Sequence, residues 1–323
     1  MARIAVTDGM AATAITRLEQ SGHQVVAAHY SAQSLAEGVL ADFDAVIVRS
    51  ATKMTGEAIA ASTSLKLIGR AGVGIDNIDL EAASAAGIVV CNTPGASTGS
   101  AIELTIGHLL ASARNICRGD RDLRAGNWSK KELTGTELAG KRLGMIGFGR
   151  IAQGVGKVAQ AFGMELHAFD PYLPPEIAER AGCTLHADVD EIFQICTHIA
   201  VHCNLSDETH HLVNESRLNL MTGVGADGVA CGNYLVSCAR GGIVCEDSVL
   251  AALQSGQLSS AALDVFEDEP IRDSPLFSEE NFHGTPHIGA ATLEAQTRVG
   301  LLIADSVIAF LEGGSPASVV NPN

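Results

Sequence analysis

The sequence is short of positive charge. Twenty-one lysines and arginines stand against 37 aspartates and glutamates, a net charge of −16. No basic run interrupts this acidic background, which excludes nucleic acid and anionic membrane as the expected partners. Long apolar runs are missing as well. No segment approaches the ~20 residues of a membrane span, and the opening MARIAVTDG reads as a strand rather than a secretory signal. Paired cysteines are missing too. The eight cysteines, at 91, 117, 183, 196, 203, 231, 238 and 245, form no CxxC motif. Several fall in apolar strand patterns, as buried thiols do in a reducing cytosol, so a cytoplasmic location is expected. No metal-ligand spacing and no low-complexity segment occurs, so no metal is expected. What remains is ordinary globular material. Over 323 positions, 46% apolar residues suffice for two domains with full cores.

The most informative stretch runs from Leu143 to Asp170, LGMIGFGRIAQGVGKVAQAFGMELHAFD. A short apolar run predicts a buried parallel strand, GFGRIA opens a helical pattern through Phe162, and a second strand ends on an acid. Gly147 allows the tight strand-to-helix turn, and Gly149 lets a pyrophosphate approach the helix N-terminus. Ala152, in the place of a third glycine, keeps helix and strand close. Asp170 follows about 20 residues on, where an acid binds ribose hydroxyls and repels a 2′-phosphate. NAD is the cofactor this pattern predicts.

Short apolar strands alternate with helical patterns along the whole chain. Strands are expected at Arg3–Thr7, Gln24–Ala28, Ala45–Arg49, Lys66–Arg70 and Ile88–Cys91. Later ones are expected at 183–186, 197–202, 234–239, 259–266 and 282–286. A long helix is predicted from Ser100 to Arg118, with Ile102, Ile106, Leu109, Leu110 and Ala113 on one face, and another from Leu293 to Leu311. Such alternation predicts an α/β protein of two doubly wound parallel-sheet, Rossmann-like domains with a cleft between them. The predicted division is 1–97 with 291–323 for substrate and, inserted in it, 98–290 for NAD.

Ligands in these folds bind at the carboxyl ends of strands, and chemically apt residues cluster there. Arg240, in SCARGG, can grip a carboxylate with two parallel hydrogen bonds and polarise a carbonyl. Glycines 241 and 242 would leave room for a ligand beside it. His287, in TPHIGAAT, is the natural acid/base near neutral pH. A carboxylate partner, with Glu269 the candidate, would orient its ring and keep a proton available. Asp264 lies in an apolar strand pattern, so its burial needs compensation. In the first domain, Arg49, Ser50 and Lys53 of VRSATK and Arg70 of RAGVG form a candidate anion site. Gly72 and Gly74 would offer backbone N–H groups to a carboxylate.

Taken together, VRSATK, GRAGVGIDNIDLEAA, GTELAGKRLGMIGFGRIA, FDPY, CARGGIV, AALDVFEDEP and PHIGAAT resemble the D-isomer-specific 2-hydroxyacid dehydrogenases. The first two narrow the likeness toward their phosphoglycerate dehydrogenase branch. The resemblance covers Arg3 to Asn323. It implies NAD-dependent oxidation of 3-phospho-D-glycerate to 3-phosphohydroxypyruvate, the first step of phosphorylated serine biosynthesis. It assigns Arg240 to the substrate carboxylate, His287 to proton transfer and Glu269 to pairing with His287. Asp264 and Cys238, with Val73, Cys203 and Ala239, would line the cofactor. Arg150 and Ile151 would meet the pyrophosphate and Asp170 the ribose. The phosphate end would fall to Arg49, Lys53 and Arg70, with Lys130 from a partner subunit. The resemblance further implies a homodimer or homotetramer built through the nucleotide domains.

There are departures from the pattern. Ser97 replaces a usual asparagine, and HCNL at 202–205 differs from HTPL or HCPL. The stretch 221–236 looks about eight residues too long, as a tolerated surface loop would be. The chain stops at VVNPN where longer relatives carry regulatory domains, so feedback inhibition by serine is not expected. A glyoxylate or hydroxypyruvate reductase would use the same catalytic set. An NAD-sensing, corepressor-like binding protein would not need Arg240, Glu269 and His287 together.

Overall fold

Central strands such as Ala45–Val48 (AVIV) and His198–Val201 (HIAV) are short, largely apolar and buried along their whole length, and that composition directs parallel pairing under helices. The computed structural model describes residues 1–321, and its chain divides into two compact units, Met1–Ser97 with Ala290–Asn323, and Thr98–Gly289.

The first unit holds a sheet of β1 (Arg3–Val6), β2 (Gln24–Ala27), β3 (Ala45–Val48), β4 (Leu67–Arg70) and β5 (Val89–Cys91). Their order is β2-β1-β3-β4-β5, all parallel. Helices α1 (Ala12–Gln20), α2 (Ala32–Ala36), α3 (Gly56–Ala61) and α4 (Leu80–Ala85) connect the strands. The last helix, named α12 below (Leu293–Leu311), returns to this sheet. A Cβ on Gly69 would lie 3.1 Å from Ile303, and one on Gly300 would lie 3.0 Å from Ala14, so both glycines let α12 sit close. Beyond the helix, Asn321 completes the edge of β5. Its side chain accepts from the Val90 N–H (2.6 Å) and donates to the Ile88 carbonyl (2.8 Å).

The second unit has seven parallel strands: β6 (Arg142–Ile146), β7 (Glu165–Phe169), β8 (Cys183–His186), β9 (His198–Val201), β10 (Tyr234–Ser237), β11 (Ser260–Leu263) and β12 (Phe282–Gly284). Their order is β12-β11-β10-β9-β6-β7-β8. The chain thus starts in the middle, at β6, and reverses direction between β6 and β9, the topology of a dinucleotide-binding sheet. Helices α5 (Thr98–Ala113) and α6 (Ile116–Arg124) precede β6. Then follow α7 (Arg150–Ala161), α8 (Pro175–Arg180), α9 (Val189–Ile195), α10 (Glu215–Leu218) and α11 (Glu246–Ser255). The α/β class with two doubly wound sheets is as expected.

Two expectations need correction. The single helix from Ser100 to Arg118 is two, because Asn115 adopts φ +53° between them. Asparagine tolerates that left-handed conformation, and it ends the first helix. Along α5 the buried stripe is Ala101, Thr105, His108, Leu109, Ser112 and Ala113, so only Leu109 and Ala113 of the predicted face are fully buried. Second, β11 stops at Leu263, and Asp264 lies just past it, its N–H donating to the Ser237 carbonyl (2.9 Å). The extra stretch near 222–232 is a largely exposed loop, as expected, and it is anchored. Val224 and Ala230 form an antiparallel bridge, and Asp227 reaches the buried Lys141 at 2.5 Å. The Asp227 N–H also donates to the Gly140 carbonyl at 3.1 Å.

Candidate active site

In the second unit the β6–β9 switch point carries the glycine fingerprint. Gly147 has φ +85°, and a Cβ there would lie 2.8 Å from the Cys203 backbone nitrogen. Any side chain at 147 would therefore collide with the chain leaving β9. Gly149 differs. Its φ is −72°, and a Cβ there would meet no protein atom within 4 Å. The space beside Gly149 is open, and no side chain caps α7, so the first-turn N–H groups of α7 face an open approach. Ala152 is fully buried, and a Cβ on Gly154 would strike Ile102 at 2.1 Å, so α5 and α7 pack at close range. Asp170, at the end of β7, accepts from the Phe148 N–H (2.9 Å) and the Tyr172 N–H (3.1 Å). The acid therefore ties the fingerprint turn to the neighbouring strand. Arg150 is exposed and Ile151 half-buried beside this turn. An open glycine, uncapped helix and strand-end acid fit a dinucleotide.

The loops after β10, β11 and β12 bring the predicted acid/base residues together. His287 Nδ1 lies 2.7 Å from Glu269 Oε2. Glu269 Oε1 accepts from the Phe266 N–H at 3.1 Å. Burial works to raise the Glu269 pKa, but the hydrogen bond and charge of His287, the Phe266 N–H and Arg240 outweigh it, and the net shift is downward. His287 is held at φ +52°. Asp264 braces that conformation. Its carbonyl accepts from the His287 N–H (2.8 Å), Oδ1 from the Ile288 N–H (2.8 Å), and Oδ2 from the Gly289 N–H (2.8 Å). Thr285 donates its hydroxyl to Oδ1 at 2.5 Å. Asp264 is 1% exposed, and these donors compensate its burial.

Arg240 follows β10 and donates to the Ala239 carbonyl at 2.7 Å, with Ala239 buried and Cys238 half-buried before it. The expected role of its glycines is corrected. A Cβ on Gly241 would lie 1.7 Å from the Phe266 carbonyl oxygen. That space belongs to the backbone carrying Glu269, not to a ligand, and Gly242 is needed for its φ of +83°. Close approach of these two loops is what sets Arg240 near Glu269.

In the first unit, VRSATK follows β3 at the switch point between β1 and β3. An unforeseen residue, Asp8, holds it. Asp8 accepts from the Arg49 N–H (2.6 Å), the Thr52 N–H (3.1 Å) and the Thr52 hydroxyl (2.6 Å). Asn77 closes the other side, donating to the Arg49 and Thr52 carbonyls at 2.7 and 2.6 Å. Ser50 and Lys53 are left exposed. Arg70 donates to the Ala71 carbonyl (3.2 Å) and lies across Gly72, where a Cβ would sit 1.5 Å from its Nη1. The Gly72 N–H donates to the Arg70 carbonyl at 2.9 Å, so it is not the free donor expected. Gly74 is half-buried and Val73 is 45% exposed on the same turn. Lys130 lies in the exposed connector before β6, beside Trp128. Sequence reasoning also missed His108, whose Nε2 lies 3.1 Å from the Thr285 hydroxyl. Burial lowers its pKa against the pull of Asp264. No local motif marks it, because its partner lies far along the chain.

Residues 106–289 match the D-isomer specific 2-hydroxyacid dehydrogenase, NAD binding domain. The chain belongs to the D-isomer-specific 2-hydroxyacid dehydrogenase family, and its second unit carries the NAD-binding domain of that family. Among its relatives is the D-3-phosphoglycerate dehydrogenase of Methanocaldococcus jannaschii, 44% identical over 100% of this chain and 60% of the relative. The hydroxypyruvate reductase of Thermotoga maritima is 43% identical over 83% of this chain and 85% of the relative. The chain spans about three-fifths of the length of the phosphoglycerate dehydrogenases it matches. A solved D-lactate dehydrogenase from Aquifex aeolicus, complexed with NAD and lactic acid, superposes with a TM-score of 0.87 at 27% identity, covering 99% of both chains. No helix among the described residues is long and apolar enough to cross a membrane.

Proposed function

We propose that this chain is an NAD-dependent dehydrogenase acting on 3-phospho-D-glycerate, with 3-phosphohydroxypyruvate as product. The observation that carries the reading is the His287–Glu269 pair at 2.7 Å, fixed in place by Asp264. Similarity over 99–100% of this chain, at 37–44% identity, to proteins named D-3-phosphoglycerate dehydrogenase supports the substrate. NAD, when bound, supplies the hydride acceptor. The second unit, 98–290 in the expected division, is the proposed cofactor domain, and 1–97 with 291–323 the proposed substrate domain.

His287 takes the hydroxyl proton of the alcohol in oxidation and returns it to the carbonyl oxygen in reduction. Glu269, at Nδ1, orients the ring so that Nε2 is the atom that transfers the proton, and its charge stabilises the imidazolium. Arg240 binds the substrate carboxylate and polarises the carbonyl. Asp170 holds the adenosine ribose, and the Gly149–Ile151 turn receives the pyrophosphate. Asp264, Cys203, Cys238, Ala239 and Val73 are the proposed cofactor-lining residues, and Gly74, on the turn after Arg70, is the glycine proposed to meet the carboxylate. Arg49, Ser50, Lys53 and Arg70 are the proposed phosphate-binding residues, with Lys130 supplied by a partner subunit of a homodimer or homotetramer. The cytoplasm is the proposed location.

A second reading, a hydroxypyruvate reductase, is favoured by the Thermotoga maritima relative, most of whose length this chain covers. NADH oxidation with 3-phosphohydroxypyruvate, hydroxypyruvate and glyoxylate separates the two. A strong preference for the phosphorylated acid, abolished in His287→Ala, is expected. In Lys53→Ala and Arg70→Ala, KM for the phosphorylated acid rises at least tenfold more than KM for hydroxypyruvate. Equal effects on both substrates would remove the phosphate assignment and leave the reductase.

A further inference from the structure

Three side chains that take no part in the proposed reaction converge beside its loops. His211, Cys245 and Glu267 bring an imidazole nitrogen, a thiol sulfur and a carboxylate oxygen all within 4.8 Å of one another. They follow three different strands, β9, β10 and β11, which is why no sequence spacing reveals them. Each is positioned by backbone. His211 is held at φ +50°, its N–H donating to the Gly242 carbonyl at 2.7 Å. The Cys245 N–H donates to the Val213 carbonyl at 2.9 Å. The Glu267 N–H donates to Glu246 Oε1 at 2.7 Å, and the Glu246 N–H donates back to Glu267 Oε1 at 3.3 Å. His211 Nε2 lies 3.0 Å from that same Glu267 oxygen.

We propose that His211, Cys245 and Glu267 bind one divalent ion of the zinc class. A nitrogen, a sulfur and an oxygen donor in one cluster suit a borderline-soft ion that accepts all three, and poorly suit magnesium or calcium. Tetrahedral ligands around zinc stand about 3.5 Å apart, so the cluster closes on the ion with small side-chain shifts. The half-exposed setting leaves the fourth position to water. A simple His211–Glu267 ion pair would not need a thiol at the same point. On binding, the Cys245 thiol proton leaves to solvent. The His211 ring binds as neutral imidazole, with Nε2 on the ion and its single proton at Nδ1.

The ion would join two loops of the active site. Glu267 follows Phe266, whose carbonyl abuts Gly241 next to Arg240 and whose N–H donates to Glu269. Occupancy therefore pins the Arg240 loop to the Glu269 loop. The consequence for turnover rests on the roles proposed above, whereas ion binding and loop stiffening do not.

The test uses the full chain stripped with chelator and titrated with Co²⁺, then Zn²⁺. A thiolate-to-cobalt charge-transfer band should saturate at one ion per chain and be displaced by zinc. It should vanish in Cys245→Ser, and the cobalt affinity should fall at least tenfold in Glu267→Gln. His211→Gln serves as a second variant if the serine variant does not fold, and should lose the same affinity. Hydrogen exchange across 240–248 and 264–269 should slow with zinc in the parent chain and not in Cys245→Ser. No band in the parent, or a band that survives Cys245→Ser, overturns the site. A band without slower exchange overturns the coupling of the loops. None of these readouts requires turnover, so failure of the dehydrogenase reading would appear separately in the NADH assay.

Discussion

Asp264 holds His287 through the backbone: its carbonyl accepts from the His287 N–H at 2.8 Å while its carboxylate accepts from the next two N–H groups. The φ of +52° at His287 is unfavourable for a residue with a side chain and is braced by these Asp264 bonds, together with the Thr285 carbonyl, which accepts from the same His287 N–H at 3.0 Å. The Asp264→Asn variant replaces a buried acceptor oxygen by a donor facing an N–H. We expect a loss of about 2–4 kcal/mol in urea unfolding and at least a tenfold lower kcat. Unchanged kcat would show that the proton-transfer geometry does not depend on this anchor.

Glu269 has a lowered pKa in the fold, despite burial, because of His287, the Phe266 N–H and Arg240. A depressed carboxylate contributes stability above its unfolded value of 4.5, and that contribution is lost as pH falls through the lower folded value. The stability difference between the parent and Glu269→Gln should therefore be constant above about pH 5 and shrink below pH 4.5. At neutral pH, kcat/KM of Glu269→Gln should fall by roughly 10²-fold or more. A difference that stays flat into acid would mean that the pair does not stabilise the fold.

Two glycines with different surroundings should separate folding from binding. A Cβ on Gly149 meets nothing within 4 Å, and its φ of −72° suits alanine. Gly149→Ala should leave stability within about 0.5 kcal/mol of the parent and weaken NADH binding at least tenfold, measured by fluorescence titration. A Cβ on Gly241 meets the Phe266 carbonyl at 1.7 Å. Gly241→Ala must push the Arg240 and Glu269 loops apart, costing about 1–3 kcal/mol and much of the activity. NADH binding left intact in Gly149→Ala would locate the pyrophosphate elsewhere.

Lys141 is 3% exposed, and its ammonium meets Asp227 at 2.5 Å and the Ala139 carbonyl at 3.2 Å. Removing 224–230 would take away its counter-charge and leave a buried cation unpaired, which is strongly unfavourable. The deletion alone should lower the urea midpoint clearly, and adding Lys141→Met should restore most of it. No recovery in the double variant would mean that the hairpin stabilises by its own contacts.

By itself the sequence determined the class of fold and the family. Short β-branched and apolar runs alternating with helical periods admit little but parallel sheets under helices. The fingerprint from Leu143 to Asp170 is local, because one turn, one helix and one neighbouring strand make it. Arg240, Glu269 and His287 stood out as candidates because each sits in its own short motif at a strand end, and the pairing of Glu269 with His287 is present. Tertiary structure decided what depends on distant partners. That Asn115 ends a helix follows from one backbone conformation which the surrounding apolar pattern hides. Gly241 is small because Phe266 approaches it, not because a ligand does. Asp8 and His108 matter through partners far along the chain, Thr52 and Thr285. Glycine, aspartate and histidine at those positions look like any others until folding closes the distance. Hydrogen bonds and steric contacts act over a few ångströms in space, whatever the separation in sequence.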